Sequence, residues 1–283
     1  MKALKKIFTS VALGSLFLAL AFSCANNSSN QEKKANQAVA DTINKVITVS
    51  QETKNLLYTF PTPFEVTQML IKAKAGFIFD ITNPPANVSK YSTENAKALN
   101  LGIYSADLSY SATFNRNDET TKFLACTSKL ADELGIAGVY DQNLVEKVKK
   151  FSSNKDSLVH LVTKIFSSTN DFLSKNNRNQ VAVLIATGTF VESLYIAAEL
   201  NVVAKDNTKI TTIIAGQKDN LDKLLTILEA YKQEKHLMKI FETVSKLKPI
   251  FTDYGIEPNK KLAHDKAGQV GDLAESVRIS LIQ

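Results

Sequence analysis

Tryptophan is absent from this 283-residue chain, and cysteine (2), histidine (3), proline (6) and glycine (10) are scarce. Each scarcity removes a class of answers. Two cysteines build no disulfide framework and no cysteine-ligated zinc site. None of His160, His236 and His264 has an acid three positions before it, so the Glu-x-x-His element of carboxylate di-metal bundles is missing. There is no His-Glu-x-x-His and no Gly-x-Ser-x-Gly. GIAGVYDQN (135–143) lacks the glycine spacing and the Gly-Lys-Ser/Thr ending of a phosphate loop. No metal or other cofactor is expected. His160 sits beside the apolar face of its helix, where partial burial against a backbone partner is expected. So few glycines and prolines also imply long elements with few turns.

What the sequence does have begins at its N-terminus. Lys2, Lys5 and Lys6 precede an apolar block, Ile7 to Phe22, which is followed by Ser23 and Cys24. This is the build of a secretory signal, with an apolar run too short to span a bilayer comfortably. Cleavage before Cys24 would place its thiol at the head of the mature chain. The ending Ala21-Phe22-Ser23-Cys24 resembles a bacterial lipoprotein signal, with Phe22 standing where a small residue is usual. The resemblance implies acylation of Cys24 and a membrane grip that grows by about 0.8 kcal/mol per buried methylene. The following ANNSSNQEKKANQ (25–37) has the composition of a flexible tether and a maximum reach of about 40 Å. The expected organisation is therefore a signal peptide over 1–23, a lipidated cysteine and tether over 24–37, and one globular domain over 38–283.

Loss of the signal removes three lysines, so the formal charge falls from +6 to +3. Lysine clusters such as Lys147, Lys149 and Lys150 have no interleaved aromatic residues on which bases could stack, so nucleic acid is excluded as a partner. Cys126 lies on the Phe123, Thr127, Leu130 face of a helix and reads as a small buried apolar side chain.

Apolar residues recur at helical spacing through most of the chain. Thr62, Pro63 and Glu65 form a capping-box pattern that opens a helix over 63–75, closed by Gly76. Further helices are expected near 38–58, 92–114, 117–134, 141–151, 155–175, 179–203, 218–234, 236–252 and 266–281. GFIFDI (76–81) and KITTIIA (209–215) are β-branched or aromatic enough to be extended, but no further strand candidates exist to make a sheet. The segment 181–200 is apolar nearly all round, and Glu192 and Glu199 within it would be costly in lipid. The fold class expected is all-α: a single bundle of about eight to ten antiparallel helices around that buried central helix.

Two stripes could carry chemistry. One helix sets Asp107 among Tyr104, Tyr110 and Phe114, with Ser109 nearby; the central helix aligns Gly188, Glu192, Tyr195 and Glu199. Buried acids are costly unless paired, so the stripes should face each other, a basic residue, or water. Gly102 and Gly188 would let backbones approach closely. Tyr104, Asp107, Tyr110, Glu192, Tyr195 and Glu199 are thus the candidate pocket, either functional or a set of structural hydrogen bonds. LNLGIYSADLSY (99–110) and LIATGTFVESLY (184–195) also echo each other about their glycines, a likeness for which helical period alone suffices. FDITNPPANVSKY (79–91) is a stiff irregular loop that could rim a pocket, serve as a partner-binding edge, or simply connect helices.

The pairing of GFIFDITNPPANVSKY with AKALNLGIYSADLSYSATFN resembles the shared core of a group of uncharacterised envelope lipoproteins of Gram-negative bacteria. The resemblance implies an envelope location and no activity. The function expected is a lipid-anchored helical binding or scaffolding module at the outer membrane. It would be held to the membrane by its lipid, with an envelope protein or a small molecule as partner. The alternative is a carboxylate-based enzyme or small-ligand-binding protein using the internal acids.

Overall fold

The computed structural model describes residue 53 and residues 62–140, 143–151, 154–204 and 207–282. The expected signal peptide, Cys24, the expected tether and, apart from helical and buried Thr53, the expected helix over 38–58 lie outside these residues. The fold is all-α, with no strand among the described residues.

The helices are α1 (Pro63–Lys72), α2 (Glu94–Thr113), α3 (Asn117–Glu133), α4 (Leu144–Phe151), α5 (Lys155–Lys175), α6 (Asn179–Val203), α7 (Thr208–Ala215), α8 (Lys218–Ala230), α9 (Lys235–Ser245), α10 (Lys248–Thr252) and α11 (His264–Ile282). Short 3-10 turns lie at Pro85–Lys90 and Ala137–Val139. By length and composition α6 could cross a bilayer, yet its apolar stretch is wholly buried in protein. It is the axis of the bundle, packed chiefly against α2 and α11 and also touching α1, α5 and α7. α2 is nearly as deeply enclosed, buried from Ala98 to Thr113 except at Ser105.

Local signals explain most boundaries. α1 opens on the expected capping box: the Thr62 hydroxyl accepts from Glu65 N at 3.3 Å, and the Glu65 carboxylate accepts from Thr62 N at 2.7 Å. It ends at Lys72 rather than near Gly76, because Lys74 turns left-handed at φ 59°. KITTIIA is helical rather than extended. Asn207 caps it by accepting from Lys209 N and Ile210 N, and Ile210, Ile213 and Ile214 then form a buried stripe that overrides their β preference. GFIFDI is neither helix nor strand. The expected helix over 236–252 is broken into α9 and α10, where Pro249 has no N–H to continue the ladder. His160 is exposed, not partly buried, since it falls off the Leu158–Val162–Ile165 stripe.

The closest approach in the core joins α2 to α6. A Cβ added to Gly102 would stand 2.0 Å from Ile185 O, and one added to Gly188 would stand 1.9 Å from Leu99 O. Each glycine therefore faces the carbonyl three residues before the other. The relation is reciprocal again at Thr189 N and Ile103 N, the residues just after each glycine. The Thr189 hydroxyl bridges the crossing by donating to Gly102 O at 3.1 Å. The two segments that echo each other in sequence thus occupy equivalent places across one contact.

Gly102→Ala or Gly188→Ala is expected to cost about 3 kcal/mol or more, since backbone must move to admit the methyl group. Gly268→Ala in α11, where nothing lies within 4 Å of the new Cβ, is expected to be neutral or to stabilise by up to about 1 kcal/mol. Denaturant unfolding followed by circular dichroism separates the two cases, and equal behaviour of all three variants would contradict the close crossing.

Candidate functional site

Tyr104, Asp107 and Tyr110 recur every three residues along α2 and so share a face. That face fastens the irregular loop through its main chain. The Tyr110 hydroxyl accepts from Ile78 N at 2.8 Å, Asp107 Oδ2 accepts from Asn83 N at 3.1 Å, and the Tyr104 hydroxyl donates to Pro84 O at 2.9 Å. The loop therefore runs along α2 in the opposite sense to the helix. Phe77 stacks on Tyr110 at 4.6 Å between ring centroids. Asn83, fully buried, ties the loop to itself and to the helix: its amide donates to the Tyr91 hydroxyl and to Asn100 Oδ1, and its Oδ1 accepts from Asn87. The Cys126 Sγ lies 3.8 Å from Pro85 O, and burial pushes its thiol up to about 11, away from thiolate reactivity.

The two acids do face each other. Asp107 and Glu192 are both 0% exposed and lie within hydrogen-bonding reach of one another. They sit five and four residues beyond their glycines, so α2 and α6 leave the crossing in the same sense; opposed helices would set the acids about 13 Å apart along the axis. Arg278 of α11 closes the cluster, with Nε donating to Glu192 Oε2 at 2.5 Å and its guanidinium 4.7 Å from the centre of the Tyr195 ring.

Burial raises both carboxyls above their ordinary values, and for Asp107 the neighbouring Glu192 charge adds to the rise. Arg278 counteracts this at Glu192. The two carboxyls therefore titrate as a pair whose uptake of a proton is favoured by burial and by their proximity, and opposed by Arg278. Desolvation works against the Arg278 charge, but Glu192 more than offsets it, so the guanidinium stays charged with its value raised.

Other expected site residues are arranged differently. Tyr195 is buried against Arg278, and burial pushes its phenol up to about 12. Glu199, two turns beyond Glu192, is not drawn into the cluster: it packs at Gly271 of α11 and is raised by burial and by Glu275 and Asp272. Ser109 Oγ is buried without a partner. No group of acids, histidines and cysteines among the described residues is suited to a metal ion.

Arg278 and Asn83 were not among the residues singled out from sequence. Arg278 follows Val277 on the Val270, Ala274, Val277, Leu281 stripe, so a cation on the edge of an apolar face was the available signal. Beside them opens a cleft of about 360 Å³. Asn83, Asn87, Lys90 and Tyr91 line it from the loop, and Arg278, Ile279 and Ile282 from α11. No family model, curated protein or solved structure matches the chain. The site is therefore judged on its own chemistry.

Above the ordinary carboxylate range and up to the raised range of the pair in the fold, the folded chain holds more protons than the unfolded chain. Stability should therefore fall as pH rises through that window. Asp107→Asn keeps an acceptor for Asn83 and a donor for Glu192, so it should cost only about 1 kcal/mol at acidic pH and flatten this decline. Glu192→Gln strands the Arg278 charge and should cost about 3 kcal/mol or more. Urea titrations of the three proteins from pH 4 to 8 measure each expectation.

Proposed function

We propose that the protein is a lipid-anchored component of the bacterial envelope, seated at the outer membrane, whose folded part is a binding module with the cleft beside Arg278 as its recognition surface. The observation that carries the binding role is the position of that cleft. It opens where the fastened loop meets α11, against a buried and charged network that holds both walls in place. Pre-organised polar groups on rigid elements lower the ordering cost of binding.

The carboxylate-enzyme alternative fits the geometry less well. A general acid or base must reach the proton that it moves. Asp107 and Glu192 have no exposed surface, and each already spends an oxygen on Asn83 N or Arg278 Nε. Support for the anchor comes from sequence: the basic start, the apolar block, Cys24 and the polar tether that follows.

Cells grown with radiolabelled palmitate test the anchor. Label on the wild-type protein in the membrane fraction is expected, with no label on Cys24→Ala and release of that variant into the soluble fraction. Identical fractionation of the two proteins would remove the anchor from the proposal.

A further inference from the structure

We infer that α11 is a releasable latch: in a minor state it undocks from the floor formed by α2 and α6 and melts as a unit, while the floor stays folded. Its own sequence is the first sign. Gly268 and Gly271 lie in the interior of the helix, where each glycine weakens it relative to alanine. Gly271 is required by packing, since a Cβ there would stand 2.8 Å from Glu199 Oε1, but nothing lies within 4 Å of one at Gly268. Gly268 therefore loosens α11 without serving its fit.

The docking face is also thin. Apart from Arg278, only Val270, Val277 and Leu281 bury a side chain larger than alanine's, and the apolar area removed from water sets how firmly an element is held. The floor is built oppositely. The apolar stretch of α6 is wholly buried, and reciprocal backbone contact at Gly102 and Gly188 locks it to α2. When the junction of the three helices gives, α11 is the part that leaves.

The polar contact at that junction is incomplete. Among the described residues, Arg278 Nε to Glu192 Oε2 is the one side-chain hydrogen bond from α11 to another helix. Arg278 Nη2 is buried without a partner, and Asp107 Oδ1 and Glu192 Oε1 have none beyond the contact between the two acids. Release gives all three atoms to water, which offsets part of the cost of breaking the ion pair. The connection into α11, 253–263, is irregular, exposed from Glu257 to Lys261 and left-handed at Gly255 and Asn259, so its dihedrals can absorb the movement. Ile279 and Ile282 leave the cleft with the helix, and an occupant touching both walls would hold the latch shut. That consequence rests on the binding-module reading above; the release does not.

Native-state hydrogen exchange on the purified full-length protein, without ligand and at increasing low urea, tests the latch. Amides of 264–282 are expected to exchange about 100-fold or more faster than those of 181–200, with a shallow urea dependence, against the steep dependence of global unfolding for 181–200. Gly268→Ala should slow exchange across 264–282 by about fivefold, and Leu281→Ala should speed it by about 30-fold. One common rate and one common urea slope for 99–113, 181–200 and 264–282 would overturn the latch. Exchange over 264–282 that neither substitution changes would overturn it as well. Because the rates are read with the cleft empty, either result leaves the binding-module reading standing.

Discussion

Two α-carbons without side chains, those of Gly102 and Gly188, set the spacing on which the rest of the core depends. With a carbonyl oxygen 2.0 Å or less from where each Cβ would be, the hydrogen that glycine carries instead points at the partner backbone, a Cα–H···O arrangement worth about 0.5–1 kcal/mol for each contact. No other residue permits this approach. Once α2 and α6 cross so closely, the side chains one turn further on must meet, and in this chain those are two acids. Proton sharing and Arg278 are the physical answer to that enforced encounter, and the C-terminal helix is held to the core by it.

Arginine is used sparingly, at three positions among 34 basic residues, and each one ties together segments far apart in sequence. Arg116 lies against the faces of Phe77 and Phe79, at 4.9 and 4.8 Å from their ring centres. Arg178 donates to Leu134 O at 2.7 Å and pairs with Glu94 at 2.6 Å. Arg278 joins α11 to α6. The planar fork can satisfy two partners in fixed directions, which an ammonium on a flexible stem does less well. The numerous lysines by contrast sit mainly on the solvated surface.

Helical periodicity and caps exposed the all-α class, the buried axis at 181–200 and the capping box at Thr62, because these depend on contacts within a few residues. The stripes through Asp107 and Glu192 were legible for a related reason, since an acid on an apolar face demands a partner. The partner itself was not legible: Arg278 lies 86 residues from Glu192, and pairing across that distance is decided by tertiary packing. Glu199 shows the converse. It shares a face with Glu192, but the small surface of Gly271 draws α11 against it and gives it separate surroundings. KITTIIA was ambiguous because β-branched residues favour strands in isolation, while Asn207 and a buried isoleucine stripe decide for helix.

The three bonds that Tyr104, Asp107 and Tyr110 make to the loop, at Ile78 N, Asn83 N and Pro84 O, engage main-chain atoms, and buried Asn83 and Phe77 add side-chain contacts to the same helix. The path of the segment is thus dictated by the helix and depends on few of the segment's own side chains, chiefly Phe77 and Asn83. Exposed positions such as Ser89 and Lys90 are consequently free to drift under selection without endangering the architecture, so that related chains could acquire new preferences by exchanging a few outward groups on an unchanged backbone.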